Sequence, residues 1–117
     1  MANGQSSSPP TQQSVLASLA AAADAARQAY MSALTANPGA DLSQLYLKEM
    51  AAANAWSAAE AKALNAKDPG VTTAQAGLDS ATQVIRNELG TIKNISTWLS
   101  LLDNLVTLAT KVGTFFA

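Results

Sequence analysis

Two turns that combine proline with glycine divide the sequence, and they restrict its folding more than any other feature. They are residues 37–41 (NPGAD) and 67–70 (KDPG). Proline disfavours helical geometry in the residue before it, and glycine adopts the conformations that tight turns need. The segments between the turns are rich in helix formers, among them 26 alanines in 117 residues. The sequence therefore predicts an all-α protein with short connections.

The first two helical segments are predicted at residues 12–36 and 42–66. In the first, apolar residues recur at steps of three and four, which is typical of a seam between packed helices. Asp41 precedes the second segment as a candidate N-cap. Because the connection is five residues long, we expect an antiparallel hairpin. Tyr46 and Met50, one turn apart, are expected to pack on the third segment, or to form a second contact surface if exposed.

The third segment is predicted at residues 72–116, where apolar residues continue at steps of three or four almost to the end. A single helix of this length would extend roughly 66 Å. Gly90 is its weak point, and a break between Gly90 and Asn94 would instead make a four-helix bundle. Since no proline or turn dipeptide marks a stop, we expect the continuous helix. The predicted architecture is an antiparallel hairpin plus a long third helix, as a three-helix bundle or coiled coil.

One domain is predicted at residues 14–117, behind a polar tail. Residues 1–13 (MANGQSSSPPTQQ) have low hydrophobicity and are expected to be disordered. They have neither the basic nor the apolar region of a cleaved secretory signal. Cytoplasmic location, or export by a specialised secretion system, is therefore expected.

The carboxy-terminal stretch, residues 95–117, has an apolar arc wider than contact with one helix requires. Three explanations are open: a core helix packed on the hairpin, an interface for self-association, or contact with a membrane. Asp103 and Lys111 make spanning a bilayer costly. The candidate interface residues are Trp98, Leu99, Leu102, Leu105, Val106, Val112, Phe115 and Phe116.

Catalytic and ligand-binding chemistry has few candidate residues here. The chain contains no histidine and no cysteine, which removes the commonest metal ligands and general bases. No carboxylate pair is spaced for general acid–base work, and no glycine-rich phosphate loop is present. With seven basic and eight acidic residues, the chain has no basic excess for nucleic acid. We expect no enzyme activity, no cofactor, no metal, no small-molecule substrate and no nucleic-acid partner.

The helix, Asn37-Pro38 turn and helix over residues 16–66, in a small cysteine-free chain with a polar leader, resemble in shape the needle subunits of type III secretion systems. The resemblance implies a bacterial helical hairpin that assembles into filaments. The chain departs from that pattern in its second Pro-Gly turn and third helical segment. The hairpin is also similar in shape to small type VII secretion substrates, but their Trp-x-Gly turn is absent.

The expected function is that of a non-enzymatic structural or interaction protein. It would self-assemble as a homo-oligomer, or bind a helical partner, through its apolar carboxy-terminal helix, as an exported or secretion-associated subunit. The alternative is a membrane-active protein whose residues 95–117 insert into a bilayer or lie on it.

Overall fold

A computed structural model describes residues 10–117, and these form four α-helices. They are α1 (Gln12–Ala36), α2 (Ser43–Glu60), α3 (Gly70–Asn87) and α4 (Ile95–Gly113). The predicted all-α class is confirmed. Of the predicted tail 1–13, residues 1–9 lie outside the described residues, and its last two residues are corrected, because Gln12 and Gln13 belong to α1. Thr11 caps α1, since its Oγ1 accepts a hydrogen bond from the Ser14 N–H at 3.0 Å.

The four helices form a flattened bundle measuring 50 × 32 × 16 Å. Helices α1 and α4 each pack against α2 and α3, and they also contact each other across the middle. Consequently α2 and α3 occupy opposite corners. The core face of α1 is mostly alanine, and such small side chains allow neighbouring helices to pack close to it. The buried alanines of α1 are Ala22, Ala25, Ala26, Ala29 and Ala33.

Helix α2 is shorter than predicted, ending at Glu60 rather than near residue 66. The residues after it leave the helix to pair with the end of the chain. The Ala63 N–H donates to the Ala117 carbonyl at 3.0 Å, and the Ala117 N–H donates back at 2.9 Å. These backbone bonds replace the helical ones that would have continued α2.

The continuous helix expected over residues 72–116 is wrong, because α3 ends at Asn87 and α4 begins at Ile95. The structure has the break given above as the alternative. Gly90 has φ of +79°, a left-handed conformation that glycine adopts without steric cost. Asn94 then starts α4, since its Oδ1 accepts from the Ser96 N–H at 2.8 Å.

The α1–α2 turn and the α3–α4 loop are joined at the same end of the bundle. The Asn37 side-chain amide donates to the Lys93 carbonyl at 2.8 Å and to the Ala33 carbonyl at 3.0 Å. The Gly90 N–H donates to Ser32 Oγ at 3.2 Å. These bonds hold the loop that turns α4 back onto the other helices.

The prediction of Asp41 as the N-cap of α2 is wrong by one residue. The N-cap of α2 is Leu42, which has no capping side chain, while Asp41 Oδ1 accepts from the Ser43 N–H at 3.0 Å. The hydrogen bond from the Ser43 backbone is the main cause, and one from the Ser43 side chain is the second, of a pKa of the Asp41 carboxyl below its ordinary value.

Candidate interaction surface

Helix α4 turns its apolar arc into the bundle. Five of the eight predicted interface residues are buried in the core of the chain, at 0–4% exposure: Trp98, Leu102, Leu105, Val112 and Phe116. The other three are half-buried and pack against the same core: Leu99, Val106 and Phe115. Of the three explanations left open for this stretch, the structure shows the core helix, because the break at Gly90 lets the chain cover the apolar arc. An intermolecular or membrane role for these side chains would require the core to open.

Trp98 illustrates how completely α4 is used within the chain. Its side chain is fully buried, and its indole Nε1–H donates to the Ile92 carbonyl at 3.2 Å. A buried indole needs such a partner, and here the partner lies in the α3–α4 loop. Trp98 therefore anchors that loop to the core.

Helix α2 contributes much less to the core, with Leu45, Ala52 and Ala59 as its buried residues. Three large side chains of its amino-terminal half instead face solvent: Leu47 is 62% exposed, Tyr46 49% and Met50 41%. Trp56, farther along the helix, is half-buried and packs against the core. The expected packing of Tyr46 and Met50 on the third segment is thus corrected. The exposed stripe continues through small side chains at one turn's spacing. We define the α2 outer face as Tyr46, Leu47, Met50, Ala53, Asn54, Ser57 and Ala58.

The charged residues next to this face form ion pairs with the neighbouring helices on either side of α2. Lys48 Nζ lies 2.7 Å from Asp103 Oδ1 on α4, and Glu49 Oε1 lies 3.8 Å from an Arg27 guanidinium nitrogen on α1. From Met50 to Ala59 the sequence has no charged residue. The α2 outer face is consequently neutral along its length.

Helix α1 extends the apolar surface at the hairpin end. The rings of Tyr30 and Tyr46 pack at a centroid distance of 5.9 Å with their planes tilted by 58°. Leu34, one turn after Tyr30, is 39% exposed. The contact between the tyrosines positions Tyr46 at the border of α1 and α2.

A groove runs beside the carboxy-terminal half of α2, between it and α4. Its volume is about 430 Å³, and it is lined largely by small side chains. Among them are Ala51, Asn54 and Ala58 from α2 and Thr110 and Gly113 from α4. A Cβ added at Gly113 would meet no atom within 4 Å. The groove can therefore accept a large side chain from outside.

Other kinds of site have less support in the structure. Within residues 10–117, no three histidine, cysteine, aspartate or glutamate side chains lie together as a metal ion would require. None of the helices in the described part of the chain combines the length and apolar character needed to cross a membrane.

The comparisons with known proteins give no relative. No protein family, curated protein or solved structure matches this chain.

Proposed function

We propose that this chain is a non-enzymatic helical interaction protein that self-associates through the α2 outer face. The observation that carries the proposal is the distribution of apolar residues around α2. Leu45, Ala52 and Ala59 face the core, while Tyr46, Leu47 and Met50 face solvent. A helix that is apolar on both sides is normally covered on both sides. The chain covers one side, and a second copy covers the other.

This proposal keeps the function expected from the sequence but moves its site from α4 to α2. The reason is accessibility: Trp98, Leu102 and Leu105 of α4 are fully buried, whereas Leu47 is 62% exposed. A contact through α2 leaves the core intact, so no unfolding cost precedes association.

The size of the exposed surface predicts a weak complex. Burying the exposed parts of Tyr46, Leu47 and Met50 would contribute roughly 1 kcal/mol each. Two copies thus supply about 6 kcal/mol, against an association cost of similar size. These three side chains alone therefore leave little net free energy, and the dimer also needs the contacts of the small side chains of the face. We expect a weak complex, with a dissociation constant no tighter than the micromolar range.

Light scattering coupled to size exclusion, over a hundredfold concentration range, tests the proposal on the full chain. We expect monomer to convert to oligomer as concentration rises. Leu47→Asp should abolish the conversion, because it places a charge within an apolar contact. The matched control is Val84→Asp, at an exposed position (46%) on α3, at the opposite corner of the bundle. A chain that stays monomeric throughout, or an oligomer that survives Leu47→Asp, overturns the proposal.

A further inference from the structure

We infer that two copies pair α2 against α2 in antiparallel orientation about a two-fold axis that passes between Ala52 and Ala53. This inference rests on the proposed function, because it specifies how the self-association is built. The observations behind it are a gradient of side-chain size along the α2 outer face and the groove at one end of that face.

The two halves of the α2 outer face differ in side-chain size. The amino-terminal half presents the large side chains Tyr46, Leu47 and Met50. The carboxy-terminal half presents only small ones: Ala53, Asn54, Ser57 and Ala58. One half therefore projects from the surface and the other is recessed beside the 430 Å³ groove.

Antiparallel pairing matches these two halves. It sets Leu47 opposite Ala58 of the second copy and Met50 opposite Ala55, two alanines that line the groove. The two-fold axis repeats both contacts, so each copy inserts its large side chains into the groove of the other. A parallel pairing would oppose large side chains to large ones and leave both grooves empty, which loses packing contact.

The charges near the face permit this arrangement. Lys48 and Glu49 are held to the sides by Asp103 and Arg27, and the residues around the axis are uncharged. Lys62 also lines the groove, at the end that antiparallel pairing sets level with the uncharged start of α2 in the second copy. No like charges therefore meet at the centre of the contact. The same patch is used by both copies, so the interface closes at a dimer.

Disulfide trapping tests the orientation directly, since the natural chain has no cysteine. Antiparallel pairing offsets Asn54 from its own counterpart by about 5 Å along the helix, and Ala58 from its counterpart by about 16 Å. A disulfide requires Cα atoms within about 7 Å. Under mild oxidation, the full-length Asn54→Cys variant should form a covalent dimer, and Ala58→Cys should not.

A second variant tests the groove. Gly113→Leu places a larger side chain at the groove, and its Cβ would meet no atom within 4 Å. We expect the fold to be retained, which urea denaturation of the monomeric variant checks. We expect the dissociation constant of the dimer to rise about tenfold or more, equivalent to the loss of one well-buried contact. Gly113→Ala leaves most of the groove open and is the control, with little change expected.

The outcomes separate the inference from the proposed function. A wild-type chain that never dimerises removes both. A dimer in which Ala58→Cys is trapped as readily as Asn54→Cys overturns the antiparallel orientation while self-association stands. A dimer in which neither cysteine is trapped overturns pairing through α2. A dimer unaffected by Gly113→Leu excludes insertion into the groove.

Discussion

Helices α2 and α4 pack side by side and are nearly equal in length, at 18 and 19 residues, but they present their apolar side chains differently. In α4 the large apolar residues lie on one arc that the bundle covers, and Ser100, Asp103 and Thr107 face solvent. In α2 large apolar residues remain on the outside. The comparison shows that the amount of apolar surface on a helix does not decide whether that surface is exposed. Its distribution around the helix and the positions of the neighbouring helices decide it.

The largest difference between the two helices should be seen on truncating one large side chain in each. Trp98→Ala removes a fully buried side chain and the hydrogen bond to Ile92, so we expect a loss of about 3–5 kcal/mol in the free energy of unfolding. Leu47→Ala should change it by less than about 0.5 kcal/mol in the monomer. Urea denaturation at low protein concentration measures both. Similar losses for the two variants would contradict the assignment of α4 to the core and α2 to the surface.

Helix α4 can pack on the core only because the chain breaks at Gly90. The next largest loss in the free energy of unfolding is therefore expected from a substitution at this glycine. Gly90→Ala forces a side chain into a left-handed conformation, at a cost of about 1–2 kcal/mol, although a Cβ would meet no atom there. Gly113→Ala has the same open surroundings without the positive φ, so it is the matched control. Urea denaturation should separate the two. An equal response would show that the break does not depend on that conformation.

A smaller effect is expected from the contact that holds the α3–α4 loop. Asn37→Ala removes the side-chain hydrogen bonds to the Lys93 and Ala33 carbonyls and should cost about 1 kcal/mol. Asn87→Ala, which loses an exposed bond to Gln83 within one helix, is the control and should be near neutral. Amide hydrogen exchange of residues 88–94 should accelerate in the first variant and not in the second.

The smallest effect concerns the start of α2. The Ser43 hydrogen bonds lower the pKa of Asp41 below its ordinary value of 3.8, so its carboxylate stabilises the fold above that pH. This contribution disappears as the pH falls through the lowered pKa of the folded state. Carboxyl titration by NMR should show the pKa of Asp41 rising towards its ordinary value in Ser43→Ala, because the backbone bond alone remains. An unchanged pKa would exclude a contribution from the Ser43 side chain.

Signals for the break between α3 and α4 were present in the sequence. Gly90 is placed as a residue that ends a helix, and Asn94 followed by Ser96 is a recognisable start. The continuous apolar pattern masked both signals, because two consecutive helices that face the same core repeat at the same steps as one long helix. Two hydrogen bonds, the one that Ser32 accepts from Gly90 and the one that Asn37 donates to Lys93, join residues more than 50 positions apart, and no local pattern predicts them.

The sequence indicates only part of the candidate site on the α2 outer face. Tyr46 and Met50 were predicted as a contact surface on condition that they were exposed, and the structure meets that condition at 49% and 41%. The sequence does not indicate that Leu47, the most exposed of the three, belongs to this surface. Alanines lie on every side of α2, so its apolar pattern does not show which face is buried.

By itself the sequence determined the helical class, the bounds of α1 and the positions of both Pro-Gly turns. These features depend on propensities and on the backbone restrictions of proline and glycine, which act within a few residues. Only the tertiary structure decided that α2 ends at Glu60, that α4 turns its apolar arc inward and that Leu47 stays outside. Those outcomes depend on contacts between distant parts of the chain, such as the pairing of Ala63 with Ala117, and on which neighbours cover each helix.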